Sequence, residues 1–194
     1  MLFYRLTRLL GIPIQALFVF DGPYKPSLKR NKKPGPGNAS ETAQAKALIS
    51  LFGFGVHDAP GEAEAECALL QREGIVDAVL SEDVDTLMFG CTKLLRDATT
   101  NRHSSSALTS VSVYDSLVLN GGASLDRDGM ALVALLSGGD YSPGGVPGFG
   151  VKIACEAAVA GFGKSLGCLT PSDGQLLGIW KRDLLRELKS NENG

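Results

Sequence analysis

Three short apolar runs, residues 14–20, 53–57 and 75–80, alternate with two helix-patterned segments, and this alternation constrains the fold more than any other feature. Runs of this length, two of them ending in acidic or turn residues, suit buried strands. Between the first two, residues 40–52 carry Ala43, Ala47, Leu48 and Leu51 at helical spacing, behind Asn38 or Ser40 as N-cap. Between the second and third, residues 62–73 place Ala65, Leu69 and Leu70 on one face after a Pro60-Gly61 turn. Strand–helix alternation of this kind predicts an α/β fold with a mostly parallel sheet flanked by helices. A helix is also expected over residues 1–10, from Leu2, Phe3, Leu6, Leu9 and Leu10, and closed by Gly11 and Pro13. Residues 94–96 and 111–114 read as further strands, and 151–160 as a helix. Residues 126–136 read as a buried helix, with a strand as the alternative at that length. Two segments read as loops: 25–37, broken by Pro26, Pro34 and Pro36, and 97–109, rich in Ser and Thr.

Composition narrows the class. The chain has 194 residues, of which 44% are hydrophobic and 21% charged, an ordinary globular balance. That length suits one core of about 100–200 residues. No apolar stretch of about 18 residues is present, so no membrane contact is expected. Arg5 and Arg8 interrupt the opening apolar run, unlike the core of a secretion signal. Cys67, Cys91, Cys155 and Cys168 form no CxxC pair and have only His57 and His103 to assist them. Reduced intracellular thiols, not a zinc site, are the expectation.

The near-neutral total of -2 hides a sharp segregation. Residues 1–57 hold eight Lys/Arg against two Asp/Glu, whereas residues 58–97 hold ten Asp/Glu against three Lys/Arg. Clustered like charges repel unless solvent or a cation offsets them. In an open α/β sheet, ligands gather beyond the carboxyl ends of the strands. Asp21 follows the first predicted strand, Glu62 and Glu64 open the helix after the second, and Asp83 and Asp85 follow the third. A set of Asp and Glu without His or Cys suits hard cations such as Mg²⁺ or Mn²⁺. Two such ions about 3.5–4 Å apart serve phosphodiester cleavage. Glu62 and Glu64 share no helical face, so they converge only if the helix begins between them. Glu66, four residues after Glu62, reads as solvated or as an outer support, and Glu82 should point away from Asp83 in an extended segment.

A glycine-dense stretch, 137–152, contains Asp140, Gly148, Gly150 and Lys152 and leads into the helix predicted at 151. Glycines let backbone amides approach a phosphate, and the helix N-terminus points to the same place. An ordinary Gly-rich loop is the plainer alternative. Lys25, Lys29, Arg30, Lys32 and Lys33 fall within nine residues. Such a run is a solvated face, a nuclear-import signal, or a contact to phosphates near Asp21 whose strength depends on salt.

Four segments, in order, resemble the flap endonuclease/XPG structure-specific nucleases: Val19-Phe20-Asp21-Gly22-Pro23, Ala59-Pro60-Gly61-Glu62-Ala63-Glu64-Ala65-Glu66, Ser81-Glu82-Asp83-Val84-Asp85-Thr86-Leu87-Met88-Phe89-Gly90, and Gly138-Gly139-Asp140-Tyr141 through Gly148-Phe149-Gly150-Val151-Lys152. With a short 25–38 segment in place of a long arch, the chain is most similar to the Holliday junction resolvase branch, in a fungal-type form. The resemblance implies a PIN-like nuclease core over 1–125, with an XPG-I type region at about 40–125. A helix-two-turn-helix DNA-binding element and the start of a C-terminal extension follow over 126–194. It implies two Mg²⁺ ions, with Mn²⁺ as a substitute, held by Asp21, Glu62, Glu64, Asp83, Asp85 and Asp140. It further implies that Lys25, Lys29 and Arg30 engage the scissile phosphate, while Gly148, Gly150 and Lys152 hold duplex backbone and a monovalent cation. Branched double-stranded DNA, dimerisation on four-way junctions and a nuclear location complete the expectation.

In that family a strand and helix precede the position of Met1 here, and the strand supplies one more metal-ligand Asp. The resemblance therefore implies a chain that lacks its central strand, with a hydrophobic slot and unpaired strand edges, and one that stops at 184–194 where relatives continue. Two functions from different classes follow: a structure-selective, metal-dependent DNA endonuclease acting in repair and recombination, or a catalytically inactive DNA-binding or scaffold fragment of that lineage.

Overall fold

The computed structural model describes residues 2–25, 39–97, 111–115, 125–140, 142–170 and 172–190, and among them eight helices and five strands. Most of the predicted 25–37 loop, with Lys29, Arg30, Lys32 and Lys33, lies outside the described residues, as does the 97–109 loop beyond Asp97.

Helix α1 (Leu2–Leu10) buries Leu6 and Leu9 and stops where Gly11 N–H donates to the Arg8 carbonyl at 3.0 Å. Strands β1 (Leu17–Phe20) and β2 (Gly55–Asp58) pair in parallel, with Leu17 opposite Gly55 and Phe20 opposite Asp58. Parallel partners need a crossover, and helix α2 (Ala39–Leu51) supplies it. That helix ends because Gly53 turns the chain at φ 81°, where a side chain would be strained, and Phe54 N–H bonds back to the Ile49 carbonyl at 3.2 Å. Leu6, Leu9, Ile49 and Phe54 form the first core, with Phe18, Phe20 and Val56 packed against it.

A second crossover, helix α3 (Ala63–Arg72), leads from β2 to β3 (Val79–Leu80). Strand β4 (Lys93–Asp97) pairs in parallel with β3, Val79 opposite Leu94, and β5 (Val111–Asp115) lies antiparallel to β4. The one-turn helix α4 (Asp85–Met88) intervenes between β3 and β4. Ala68, Val79, Cys91 and Leu94 make the second core. The predicted strand at 75–80 is thus only its last two residues. The amides of Glu73, Gly74, Ile75 and Val76 all bond back to the end of α3, which leaves them none for a ladder, and Ile75 is 65% exposed.

The single sheet expected from the sequence is divided in two, β1–β2 and β3–β4–β5. Two of the three pairings are parallel among the described residues. No ladder bond joins β1 to β3; instead α3 packs against both. Among the described residues each of these strands has one edge without a strand partner.

The remaining helices are α5 (Arg127–Ser137), α6 (Val151–Val159), α7 (Phe162–Gly167) and α8 (Gly174–Ser190). The first is helical and not extended, because Asp126 caps it by accepting from Gly129 N–H at 2.8 Å. Leu132, Leu136, Ala154, Ala157, Ala158 and Leu184 form a third core. The small residues of α6 let it approach α5 closely. Trp180 ties α8 down by donating its indole N–H to the Phe162 carbonyl at 3.1 Å. Among the described residues no helix is long and apolar enough to cross a membrane.

Leu132 is 1% exposed at the centre of the third core. Leu132→Ala should therefore cost about 2–5 kcal/mol of stability, measured by urea unfolding; a loss under about 1 kcal/mol would mean that the core collapses around the cavity.

Candidate active site at the carboxyl ends of the strands

Asp21 leaves β1 and meets the start of α3 because two chain segments run side by side. Gly22 N–H donates to the Gly61 carbonyl at 2.7 Å and Tyr24 N–H to the Pro60 carbonyl at 3.0 Å. Only glycine permits this approach: a Cβ on Gly22 would stand 1.8 Å from the Ala59 carbonyl oxygen. The alignment places Asp21 Oδ1 2.9 Å from Ala63 N, so this carboxylate accepts from the first amide of α3. A helix N-terminus carries unsatisfied N–H groups and partial positive charge, which a carboxylate stabilises. Glu62, the N-cap residue, does not make that bond itself; its backbone is extended, at φ -77° and ψ 137°. The helix begins at Ala63, between Glu62 and Glu64, which is the condition that convergence of those two carboxylates requires.

Lys25 Nζ stands 3.7 Å from Asp21 Oδ2 with both groups substantially exposed, an ion pair that contributes little to stability. It is the one member of the predicted basic loop within the described residues.

The second acidic group is built by local turns. Ser81 Oγ accepts from Asp83 N–H at 3.0 Å, and Asp83 Oδ1 accepts from Asp85 N–H at 2.9 Å. Thr86, fully buried, donates its hydroxyl to the Asp83 carbonyl at 2.8 Å. Side-chain-to-backbone bonds of this kind fix a turn without a ladder. Glu82 stands apart from them, with Oε2 3.7 Å from Arg96 Nη2. Asp140 follows Gly138, the C-cap of α5 at φ 98°, and lies inside a turn closed by reciprocal 3.2 Å bonds between Gly139 and Ser142.

All six predicted ligands are carboxylates, the donor type that hard cations prefer. Asp21 is brought to the start of α3 beside Glu62 and Glu64, while Asp83 and Asp85 are held together two residues apart. Among the described residues, no three of His, Cys, Asp and Glu are gathered as a metal-holding group. The donor set still fits Mg²⁺, which keeps several waters and binds through one or two carboxylates plus substrate phosphates. The carboxylates thus form two separate acidic groups and not a closed protein cage.

The glycine-dense stretch folds back on α5. Val146 N–H donates to the Leu136 carbonyl at 2.8 Å, and a Cβ on Gly145 would lie 2.3 Å from that same oxygen. Gly148 has φ 88°, and Gly150 is the N-cap of α6 with an extended backbone. Lys152 is 90% exposed on its side chain and 3.7 Å from Glu156. Helices α5 and α6, joined by the folded-back segment 138–150, therefore present a helix start, glycines and a lysine in one stretch of chain.

Other polar residues around the strand ends escaped the sequence reading. Lys46 on α2 bonds Asp58 at the end of β2, and its ammonium sits 5.0 Å from the centre of the Phe20 ring. His57 Nε2 lies 2.7 Å from Glu66 Oε1, so Glu66 is not the solvated residue of one of the two alternatives. Alternation along β2 was the available signal, since adjacent His57 and Asp58 must face opposite sides of the strand. The acidic character of α3 is felt at Cys67, whose thiol is pushed up to about 11, first by burial and then by the charge of Glu64, with Cys91 and Glu66 adding to it.

Residues 53–140 match the family described as the XPG I-region. The chain is 28% identical over 196 residues to flap endonuclease 1 of Methanocaldococcus jannaschii, covering 84% of this chain and 58% of that protein. It is 31% identical over 183 residues to flap endonuclease GEN homolog 1 of Mus musculus, covering 85% of this chain and 20% of that one. Among solved structures, it is similar to the Holliday junction-resolving enzyme GEN1 in complex with product DNA and a Mg²⁺ ion, at TM-score 0.79 and 53% identity over 98% of this chain and 43% of that one. A eukaryotic junction-resolving enzyme GEN-1 with cesium gives TM-score 0.84 and 52% identity, over 98% of this chain and 44% of that one. The catalytic core of Rad2 with DNA substrate gives 0.69 and 33%, over 84% and 51%. The chain thus spans about half the length of these solved structures.

Two outcomes test this geometry. Gly22→Ala should destabilise the protein by at least about 1–3 kcal/mol through overpacking against Ala59 and Pro60, read by thermal unfolding; an unchanged melting temperature would show that the close approach is dispensable. The raised thiol of Cys67 fixes the sign of a pH effect. Below its ordinary value of 9.0 the thiol is neutral in folded and unfolded chains, and the stability it contributes is fully present. As pH rises from there towards about 11, the unfolded chain ionises first and stability falls. Cys67→Ala should flatten that decline in urea unfolding curves taken across the interval.

Proposed function

This chain belongs to the family that carries the XPG I-region, and we propose that it is the nuclease core of a structure-selective, divalent-metal-dependent DNA endonuclease that cuts phosphodiesters at branched DNA. Asp21 bonded to the first amide of α3, between Glu62 and Glu64, is the observation that carries this reading. It brings acidic residues from separate strand ends to one helix start, in a chain similar to GEN1 bound to product DNA and Mg²⁺. Holliday junctions and 5′ flaps are the proposed substrates, in repair and recombination, with dimerisation on four-way junctions and a nuclear location.

In this function Asp21, Glu62, Glu64, Asp83, Asp85 and Asp140 hold two Mg²⁺ ions, for which Mn²⁺ substitutes. When bound, the ions supply charge stabilisation and a nucleophilic water for phosphodiester hydrolysis. The chain's own residues do the rest. Ser81 and the Asp85 amide orient Asp83. Lys25, Lys29, Arg30, Lys32 and Lys33 contribute positive charge that draws in the phosphate backbone, and each contact made is salt-sensitive. Gly148 and Gly150 leave the start of α6 open to a duplex phosphate, Lys152 adds a charge beside it, and a monovalent cation sits at that turn. The three cores support a division into a nuclease part, 1–125, and a DNA-holding part, 126–194.

One observation favours a second reading, a catalytically inactive DNA-binding or scaffold protein: among the described residues no three candidate ligands gather as a metal-holding group. Labelled four-way junctions and 5′-flap duplexes incubated with the protein and Mg²⁺ separate the two. Cutting supports the endonuclease, and tight binding with no cutting at any Mg²⁺ or Mn²⁺ level supports the scaffold. Asp83→Asn keeps the oxygen that accepts from Asp85 N–H while removing the charge. It should abolish cutting and leave junction binding intact, and a loss of binding would instead reassign Asp83 to the DNA interface. Replacing Lys29 and Arg30 with Ala should weaken binding and flatten its salt dependence by about one charge each. An unchanged slope removes the loop from the interface.

A further inference from the structure

Strand β2 delivers consecutive side chains to opposite faces. Asp58 goes to α2, where Lys46 holds it, and Val56 joins the core on that same side. His57 therefore faces the other way, towards α3, and its Nε2 lies 2.7 Å from Glu66 Oε1. An ionised carboxylate only accepts, so Nε2 carries the proton and donates it. The Glu66 side chain is 13% exposed, so this bond is largely shielded from water.

Glu66 is also the residue that closes the first turn of α3, through its N–H to the Glu62 carbonyl at 3.2 Å. The same turn is held at its other end by Asp21 on Ala63 N–H. Residues 62–66 are thus suspended between the ends of two strands, Asp21 from β1 on one side and His57 from β2 on the other. Helix first turns fray because their amides lack partners. Here the fraying turn is the one that carries Glu62 and Glu64.

We propose that Glu66 and His57 are positioning residues: their hydrogen bond clamps the first turn of α3 to β2 and thereby sets where Glu62 and Glu64 present their carboxylates to a divalent cation. This rests on the metal-dependent reading above. It also keeps Glu66 outside the ligand set, although it is acidic and one turn from Glu62. Supports that act through a ligand typically change metal affinity by about 10–100-fold when removed.

The test compares Glu66→Ala, His57→Ala, their double variant and Glu66→Gln in the otherwise intact protein. Three readouts are taken: Mn²⁺ affinity by calorimetry without DNA, amide hydrogen exchange over residues 63–66, and kcat against KM on a four-way junction. Glu66→Ala and His57→Ala should each weaken Mn²⁺ binding by about tenfold or more, speed exchange in the first turn, and lower kcat with little change in KM for DNA. The double variant should be no worse than either single one, since both remove the same bond. Glu66→Gln keeps an acceptor oxygen for Nε2–H and should restore all three. Should Glu66→Ala fail to fold, His57→Ala with Glu66→Gln decides alone. Mn²⁺ affinity lost equally in Glu66→Gln would make Glu66 a ligand and overturn the proposal, as would unchanged affinity and exchange in both alanine variants. Absence of Mn²⁺ binding and of cutting in the parent protein would overturn the metal-dependent reading itself, and the positioning role with it.

Discussion

The close run of residues 21–24 along 59–61 is the constraint on which the rest of this structure depends. Two backbone hydrogen bonds and a missing Cβ at Gly22 fix it. From it follow the position of Asp21 over the first amide of α3, the start of that helix between Glu62 and Glu64, and the direction in which α3 crosses to β3. A local steric requirement at one glycine thereby determines where acidic side chains from separate strands lie. Packing alone would not achieve this, because apolar contacts carry little directional information.

The elements were legible where a long period or a cap made them so. Helices α1, α2, α3 and α6 lie within a residue or two of the spans their apolar spacing predicts, and Asp126 as a cap settles α5 as helical. Strand β3 was misjudged in length because an apolar run does not reveal that its amides are already bonded to the preceding helix. The one-turn helix α4 and the helices α7 and α8 were not foreseen. The first is set by side-chain bonds from Asp83 and the second is too short for a periodic signal. Helix α8 is amphipathic, yet its anchors, the half-buried Trp180 and the buried Leu184, gain their meaning only from the third core and α7.

The candidate site divides in the same way. That acidic residues follow strand ends is a property of order along the chain and could be read directly. Which carboxylate does what could not, because it depends on contacts across the chain: Asp21 with an amide 42 residues away, Glu66 with His57, Glu82 with Arg96. The acidic excess of residues 58–97 is accordingly not one undifferentiated patch. Some of its members are engaged in local turns and in bonds to other elements, as Asp83 is with the Asp85 amide and Glu66 with His57.

Helix α3 touches both β1 and β3, while no ladder bond links those strands. Hydrogen-bond ladders lock neighbouring strands in discrete steps, whereas a helix seated on side chains accommodates gradual sliding and tilting. The Asp21 side and the Asp83 side are therefore joined through the side chains that α3 rests on, and a change in those side chains reaches both acidic groups at once.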